Sequence, residues 1–328
     1  MAEPSIESAY ENARLVHKVL SLYYGADATQ GDIARQLGLS TPKVNRLLKM
    51  ARRQGMVQIS LHTPFQPLFD LEKQLEATFL IPEVVVLPSS TGETLASLPA
   101  LGAAGARYLL EHLQDGDVIA IGGGTTIHAL VEAVNPQRAY RVDVVPVVGG
   151  VQGRVTTDVN FLASQLAERL GGRAFQLHSP AFAESPQQRQ ALLNMKPIKD
   201  ILDIARRANI ALLGIGTVDP ETSRFVQFTA LSAEEMKQIA DIYHGIGELL
   251  AIIYNPAGKP CAQPYADRVV GLTIDELRAI PLRIGVAGSL SKAVAIHGAL
   301  CGGYLHTLIT DENAAQGVME LQAIHQGS

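Results

Sequence analysis

Apolar residues recur at helical spacing through the first quarter of the chain, then give way to short apolar runs separated by further helical stretches. Ala13, Val16, Val19, Leu20 and Tyr23 share one face of a helix predicted over residues 9–22. TQGDIARQL follows. Thr29 is placed to cap it, Asp32 sits in its first turn, and Ile33, Ala34 and Leu37 form its inner stripe. Gly38 ends that helix because glycine accepts positive φ without a steric penalty. Ser40 caps the next helix and Pro42 occupies its first turn, where the missing N–H costs nothing. Val44, Leu47, Leu48 and Ala51 give it an inner face, and Gly55 stops it. MVQISL alternates as a short strand would, which predicts a wing.

Two short helices joined around a glycine form a helix-turn-helix. With Val44, Leu47 and Leu48 turned inward, Lys43, Asn45, Arg46, Lys49, Arg52 and Arg53 fall on the outer faces, with no Asp or Glu among them. Such a helix fits a major groove, where Asn reads adenine edges, Arg reads guanine edges, and Lys or Arg near the ends grips phosphates. Gln30, Ser40, Thr41, Lys43, Asn45, Arg46 and Lys49 are the predicted DNA contacts. The plainer alternative is a helical hairpin with a solvated basic face.

Residues 63–81 read as a linker helix. Pro64 and Pro67 end the preceding strand pattern, and Leu68, Leu71, Leu75 and Phe79 make a stripe suited to a surface between subunits. From Pro82 the pattern becomes PEVVVLP, DVIAIGG, VDVVPVVGG, RAFQLHS, IALLGIG, ELLAIIYN, RIGVAG and LHTLIT, each a candidate strand. Several lack alternation, as strands buried on both faces of a parallel sheet do. Helical stretches lie between them, including LPALGAAGARYLLEHL, TDVNFLASQLAERLGG, SAEEMKQIADI, TIDELRAI, SKAVAIHGAL and DENAAQGVMEL. The fold class is therefore a two-domain α+β arrangement: a helix-turn-helix over 1–62, the linker over 63–81, and a doubly wound α/β domain over 82–328. NPAGKP, centred on Gly258, reads as a hairpin turn.

Composition narrows the function classes. The chain has 328 residues, 47% of them hydrophobic, and a net charge of −5, so any contact with nucleic acid must be local rather than a property of the whole surface. Cys261 and Cys301 stand far apart and form no CxxC pattern, which points to a reducing compartment and no structural metal. No secretory signal is visible at the N-terminus and no apolar run approaches the roughly 18 residues of a membrane helix. A cytoplasmic protein is expected.

Three predicted strands end in glycine. IAIGGGTTIHAL places Gly122, Gly123 and Gly124 before Thr125 and Thr126, which open a helix; exposed amides, the helix dipole and two hydroxyls suit a phosphate. It is neither GxxxxGK[ST] nor GxGxxG, and on its own it could equally be a packing turn. LLGIGTVDP carries Gly214 and Gly216, and IGVAGSLSKAVAI carries Gly288 and, in the following turn, Lys292. Ligands of open parallel sheets gather at the carboxyl ends of strands, where all three loops belong. Lys292 supplies a cation, and Glu248 supplies a carboxylate able to accept from a sugar hydroxyl; a surface lysine and a solvated strand-end residue are the alternatives. The nine histidines form no metal-binding pair. No GxSxG or Cys–His arrangement suggests nucleophilic catalysis, and no catalytic residue or cofactor is assigned.

LYYGADATQGDIARQLGLSTPKVNRLLKMARRQGMVQISL resembles the DNA-binding segment of SorC/DeoR-type bacterial sugar regulators. IGGGTT, VVGGVQG, GIGTVD and GLTIDELRAIPLRIGVAGSLSKAVAIHGALCGGYLHTLITDENAA resemble their effector domain in order and spacing. The resemblance covers nearly the whole chain and implies an effector domain similar to sugar-phosphate isomerases, such as ribose-5-phosphate isomerase and glucosamine-6-phosphate deaminase, working as a sensor. It implies dimers or tetramers on a partly palindromic operator, with a phosphorylated sugar or polyol as effector. It places Gly123, Gly124, Thr125, Thr126, Gly149, Gly216, Glu248 and Lys292 at the effector, the two threonines on the phosphate and Glu248 and Lys292 beside the sugar. Two departures stand out: relatives often carry aspartate at the position of Glu248, and commonly a second glycine where this chain has Ser289.

These observations predict a non-enzymatic regulator of a carbohydrate or polyol catabolic operon. The rivals are a sugar-phosphate isomerase or deaminase with an appended helical domain, and a DNA-binding structural protein with no effector.

Overall fold

The structure is a computed structural model that describes residues 6–58, 63–89, 97–151, 155–219 and 231–326. It separates into two compact units, Met1–Pro64 and Phe65–Ser328.

The first unit contains α1 (Ile6–Leu20), α2 (Gln30–Leu37) and α3 (Thr41–Arg53). One π-helical turn over Ser21–Gly25 follows α1, so the predicted first helix begins and ends slightly earlier than its apolar spacing suggests. Thr29 Oγ1 accepts Asp32 N–H at 3.2 Å and Ser40 Oγ accepts Lys43 N–H at 3.4 Å, capping α2 and α3. Gly38 takes φ 64° and Gly55 φ 70°, the left-handed conformation in which each helix stops. Val19, Ile33, Val44 and Leu48 are almost fully buried against one another. At about 1.5–3 kcal/mol per large apolar side chain, this small core fixes the angle between the helices. Leu47, expected fully inside, is only half-buried. Of the predicted wing strand, Met56–Gln58 carry no strand pairing and residues 59–62 lie outside the described residues.

The second unit opens with α4 (Gln66–Phe79) and β1 (Glu83–Leu87), then α5 (Ser97–His112), β2 (Val118–Ile121), α6 (Thr125–Ala133) and β3 (Asp143–Pro146). It continues with α7 (Val159–Leu170), β4 (Arg173–Ala174), α8 (Pro186–Asn194), α9 (Lys196–Ala205), β5 (Ile210–Gly214) and β6 (Gly216–Thr217). After α10 (Ala233–Asp241) come β7 (Gly247–Leu249), β8 (Ile252–Tyr254), α11 (Gln263–Ala266) and α12 (Ile274–Arg278). The chain closes with β9 (Leu282–Val286), α13 (Ala293–Cys301), β10 (Thr307–Asp311) and α14 (Glu312–Gln326).

Seven parallel strands form one sheet in the order β1-β10-β9-β5-β2-β3-β4, while β6, β7 and β8 form a small antiparallel sheet. Successive residues of β5 face opposite layers. Ile210 and Leu212 join the core shared with α5, α6 and α7; Ala211 and Leu213 join the core shared with α4, α9, α13 and α14. Helices on both faces explain why the strands read as unbroken apolar runs.

The edges are also occupied. Glu72 and Glu76 of α4 accept the Val86 and Val84 amides of β1 at 2.9 and 3.1 Å. At the opposite edge β4 has only two residues, and Arg173 grips Asp143 of β3 with two bonds of 2.9 and 2.8 Å.

Two of the strand expectations are corrected. ELLAIIYN is not one strand: it folds back between β7 and β8 through Leu250 and Ala251, with φ 55° and 64°, and Glu248 accepts the Ala251 amide at 3.0 Å. Two left-handed residues match the twist of a tight hairpin, but neither is the glycine that would signal it. RAFQLHS pairs only at Arg173–Ala174. Residues 186–205 form two further helices, each begun by proline in its first turn; Ser185 caps α8, and Ile198, Leu202 and Ala205 bury one side of α9. The hairpin predicted at NPAGKP is present: Asn255 and Lys259 are bonded at 3.0 Å, with Gly258 at φ 69°.

Candidate functional site

On α3, Thr41, Pro42, Asn45, Arg46, Lys49, Met50, Arg53 and Gln54 line one shallow groove along the outer face. Their spacing of four residues is the helix repeat, so they form a single stripe opposite Val44 and Leu48. Lys43 is exposed beside this stripe, and Gln30 stands at the first turn of α2. The Ser40 hydroxyl already serves as the cap of α3. Arg52 leaves the basic run: its Nε donates to the Tyr24 hydroxyl at 2.7 Å, and its guanidinium lies 5.8 Å from that ring's centre. That hydrogen bond holds Arg52 more firmly protonated than usual. Met50, Arg53 and Gln54 complete the stripe, and extending the four-residue spacing from Asn45 and Arg46 would have identified all three.

In the second unit β5 lies between β2 and β9, which brings their three glycine loops together at the carboxyl edge. After β2, the Gly122 amide continues the ladder to Leu212 O at 2.9 Å. Gly124 takes φ 109° and ψ 168°, which only glycine adopts readily, and begins α6 with no side-chain cap. The first-turn amides of α6 are therefore left to a ligand or solvent. Thr125 is partly exposed and Thr126 is 5% exposed in this turn. A Cβ on Gly214 would stand 3.4 Å from Gly123 O, so the loops after β2 and β5 are in contact.

The third loop meets the second through Lys292, whose Nζ donates to Ile215 O at 2.9 Å. Next to that carbonyl, Gly216 pairs with Glu248 across the small sheet. A Cβ on Gly216 would collide with the Glu248 carboxylate, so glycine is what lets this acid lie over the backbone. Burial pushes the Glu248 carboxyl above the ordinary carboxylate range, while the Ala251 amide and the charge of Lys292 pull it partly back. The structure thus sets Gly123 against the loop after β5 and draws Gly216, Glu248 and Lys292 around that loop, while Gly124, Thr125 and Thr126 follow Gly123 into α6. Gly149 sits after β3: its amide donates to Val270 O at 2.9 Å, and an added Cβ would run into the Pro180 carbonyl, which gives the glycine a packing reason.

Ser289 preserves a glycine-like backbone at φ 88°, ψ 137°. Asp311, at the end of β10, makes this possible by accepting the Ser289 amide at 2.6 Å and the Ala314 amide at 2.9 Å. Sequence reasoning missed Asp311; an acid immediately before a helix was the available signal. It also missed Thr157, whose carbonyl accepts the Gly124 amide at 3.1 Å. Among the described residues no cluster of three or more His, Cys, Asp or Glu could hold a metal ion, and no helix is long and apolar enough to cross a membrane.

Comparison with known proteins fits both units. Residues 63–320 match the family described as "Putative sugar-binding domain", and residues 17–58 match a winged helix-turn-helix DNA-binding family. The chain is 30% identical over 310 residues to the deoxyribonucleoside regulator of Bacillus subtilis (strain 168), covering 94% of this chain and 98% of that one. It is 30% identical over 300 residues to the erythritol catabolism regulatory protein EryD of Brucella abortus (strain 2308), covering 91% and 94%. The crystal structure of the full-length sorbitol operon regulator SorC from Klebsiella pneumoniae superposes with a TM-score of 0.72 at 28% identity, covering 94% of this chain and 99% of that one. These relatives are transcriptional regulators rather than enzymes, which disfavours the isomerase reading. With the winged helix-turn-helix at its start and the sugar-binding domain over most of the rest, the chain belongs to the SorC/DeoR-type family of bacterial sugar-responsive transcriptional regulators.

Proposed function

We propose that the protein is a cytoplasmic regulator of a carbohydrate or polyol catabolic operon whose effector is a phosphorylated sugar or polyol. Residues 1–62 bind a partly palindromic operator, 63–81 link, and 82–328 sense the effector and assemble a homodimer or homotetramer. One recognition helix per chain contacts only half of a symmetric site, and two or four linked heads raise affinity through effective concentration. The observation that carries the effector reading is the uncapped start of α6 at Thr125 and Thr126; Lys292, bonded to the Ile215 carbonyl, is the cation we assign to the same site. An oxyanion there gains charge-assisted hydrogen bonds worth about 1.5–3 kcal/mol each. Glu248 accepts from hydroxyls of the carbon chain, and Gly123, Gly124 and Gly216 admit close approach. Lys43, Asn45, Arg46 and Lys49, with Gln30, Ser40 and Thr41, meet the DNA. A bound effector shifts the population between arrangements of the DNA-binding heads.

Calorimetry with matched phosphorylated and free sugars and polyols tests this reading. Two surviving charge-assisted bonds give at least about a hundredfold preference for the phosphorylated member of one pair. Equal affinities throughout would place the sensor elsewhere. Light scattering tests the assembly, and a monomer at micromolar concentration with and without operator would refute it.

A further inference from the structure

One buried carboxylate decides the shape of the loop after β9. Asp311 is 4% exposed at the end of β10; its Oδ2 accepts the Ser289 amide at 2.6 Å and its Oδ1 accepts the Ala314 amide at 2.9 Å. Gly288 admits it, since a Cβ there would collide with the carboxylate. Capping α14 at Ala314 needs only one of the two oxygens, and the other holds Ser289 at φ 88°, where a side chain is strained. From Ser289 the chain makes one 3-10 turn over Leu290–Lys292, closed by the Lys292 amide on the Ser289 carbonyl at 2.9 Å. The side chain of that lysine then crosses to the loop after β5, where Nζ donates to Ile215 O at 2.9 Å. Three bonds in series thus connect Asp311 with the Lys292 ammonium. A return of residue 289 to negative φ would re-aim the turn and carry Lys292 off the Ile215 carbonyl.

We propose that Asp311 is a positioning residue for Lys292: through Ser289 it fixes the turn that aims the ammonium at an anionic effector. This rests on reading Lys292 as the cation of the effector site. Asp311 acts at one remove, because it is buried and both of its oxygens accept backbone amides. Its own charge opposes an anion, and only the geometry it imposes favours one. Asp311→Asn separates the two effects: Oδ1 can still cap α14 at Ala314, while the amide NH2 faces the Ser289 N–H, donor against donor. Glycine holds φ 88° without a clamp, so Ser289→Gly removes the need for Asp311 at this turn.

Acylation of Lys292 in the full-length protein, followed by mass spectrometry with the exposed Lys43 as internal reference, reads the position of the ammonium without any effector. Asp311→Asn is expected to speed acylation of Lys292 about tenfold and leave Lys43 unchanged, and adding Ser289→Gly is expected to restore the slow rate. Calorimetry with inorganic phosphate reads the consequence. Removing a negative charge by itself favours an anion, so phosphate binding about tenfold weaker in Asp311→Asn, recovered in the double variant, is the expected result. Should Asp311→Asn fail to fold, Gly288→Ala displaces the same carboxylate from the loop side and is expected to give the same faster acylation. An unchanged Lys292 rate, or an equal rise at Lys43, overturns the proposal and leaves Asp311 as a cap of α14 alone. So does a fast rate that Ser289→Gly fails to restore. Phosphate binding that falls in Lys292→Met but not in Asp311→Asn leaves the cation standing and removes only Asp311 from it. Parental binding in Lys292→Met, or no phosphate binding by the parent, sinks both readings.

Discussion

Lys292 Nζ donates to the Ile215 carbonyl at 2.9 Å, and this one bond joins the loop after β9 to the loop after β5. The cation is therefore held in place by the fold itself, so its contact with the proposed effector would cost little side-chain entropy. Lys292→Met should blunt the response of operator binding to a phosphorylated effector while leaving operator affinity without effector intact. Removing the bond should also cost about 1.5–3 kcal/mol of stability. Fluorescence anisotropy on labelled operator, with and without effector, reads the first effect; an undiminished response would take Lys292 out of the sensor.

Glu248 gives a pH signature. Its carboxyl is raised by burial, so the folded state holds the proton more tightly than the unfolded chain. Its contribution to stability is full below the ordinary value of 4.5 and is lost as pH rises through the raised folded value. Glu248→Gln keeps an acceptor for the Ala251 amide and has no charge to bury. Relative to this variant, the parent should lose stability as pH rises from the ordinary value of 4.5 through the raised folded value. Denaturant titrations at several pH values give the difference directly, and a constant offset across that range would mean the carboxylate ionises without penalty.

Ser289→Gly should stabilise the protein. A φ of 88° costs a non-glycine residue roughly 1–3 kcal/mol, and glycine returns part of that gain through the greater freedom of its unfolded chain. A net gain of about 1 kcal/mol is expected, because the amide bond to Asp311 survives the change. A lower Tm would show that the hydroxyl contact with Ser291, at 3.0 Å, outweighs the backbone strain.

On α3, Asn45→Ala and Arg46→Ala should each weaken specific operator binding by about 1–3 kcal/mol if they read bases. Lys49→Ala should mainly lower the salt slope, by about one unit. Arg52→Ala should spare sequence discrimination, since Arg52 is engaged with Tyr24. Competition binding against mutated operators separates these outcomes, and parental affinity in the Asn45, Arg46 and Lys49 variants would disqualify the helix as the reader.

The helix-turn-helix was legible because its signals are local: Thr29, Gly38, Ser40 and Pro42 each act within a few residues of where they stand. The strands were legible as apolar runs, yet their order was not, since β5 reaches its place between β2 and β9 only through long crossovers. Adjacency is what turns three glycine loops into one site, so the sequence could name Gly124, Gly216 and Lys292 without showing which touch. Leu250 and Ala251 hid their turn because packing, not glycine, holds them left-handed. Thr157 was invisible for a related reason: the group that supports Gly124 is a backbone carbonyl, which every residue possesses.

The outward amides of β1 are already occupied by Glu72 and Glu76, and β4 is too short to offer a ladder. A stray strand, from another copy or from an unfolded neighbour, finds no template at either margin of the large sheet. The folded domain is thereby guarded against the slow, irreversible stacking to which exposed sheet margins lead.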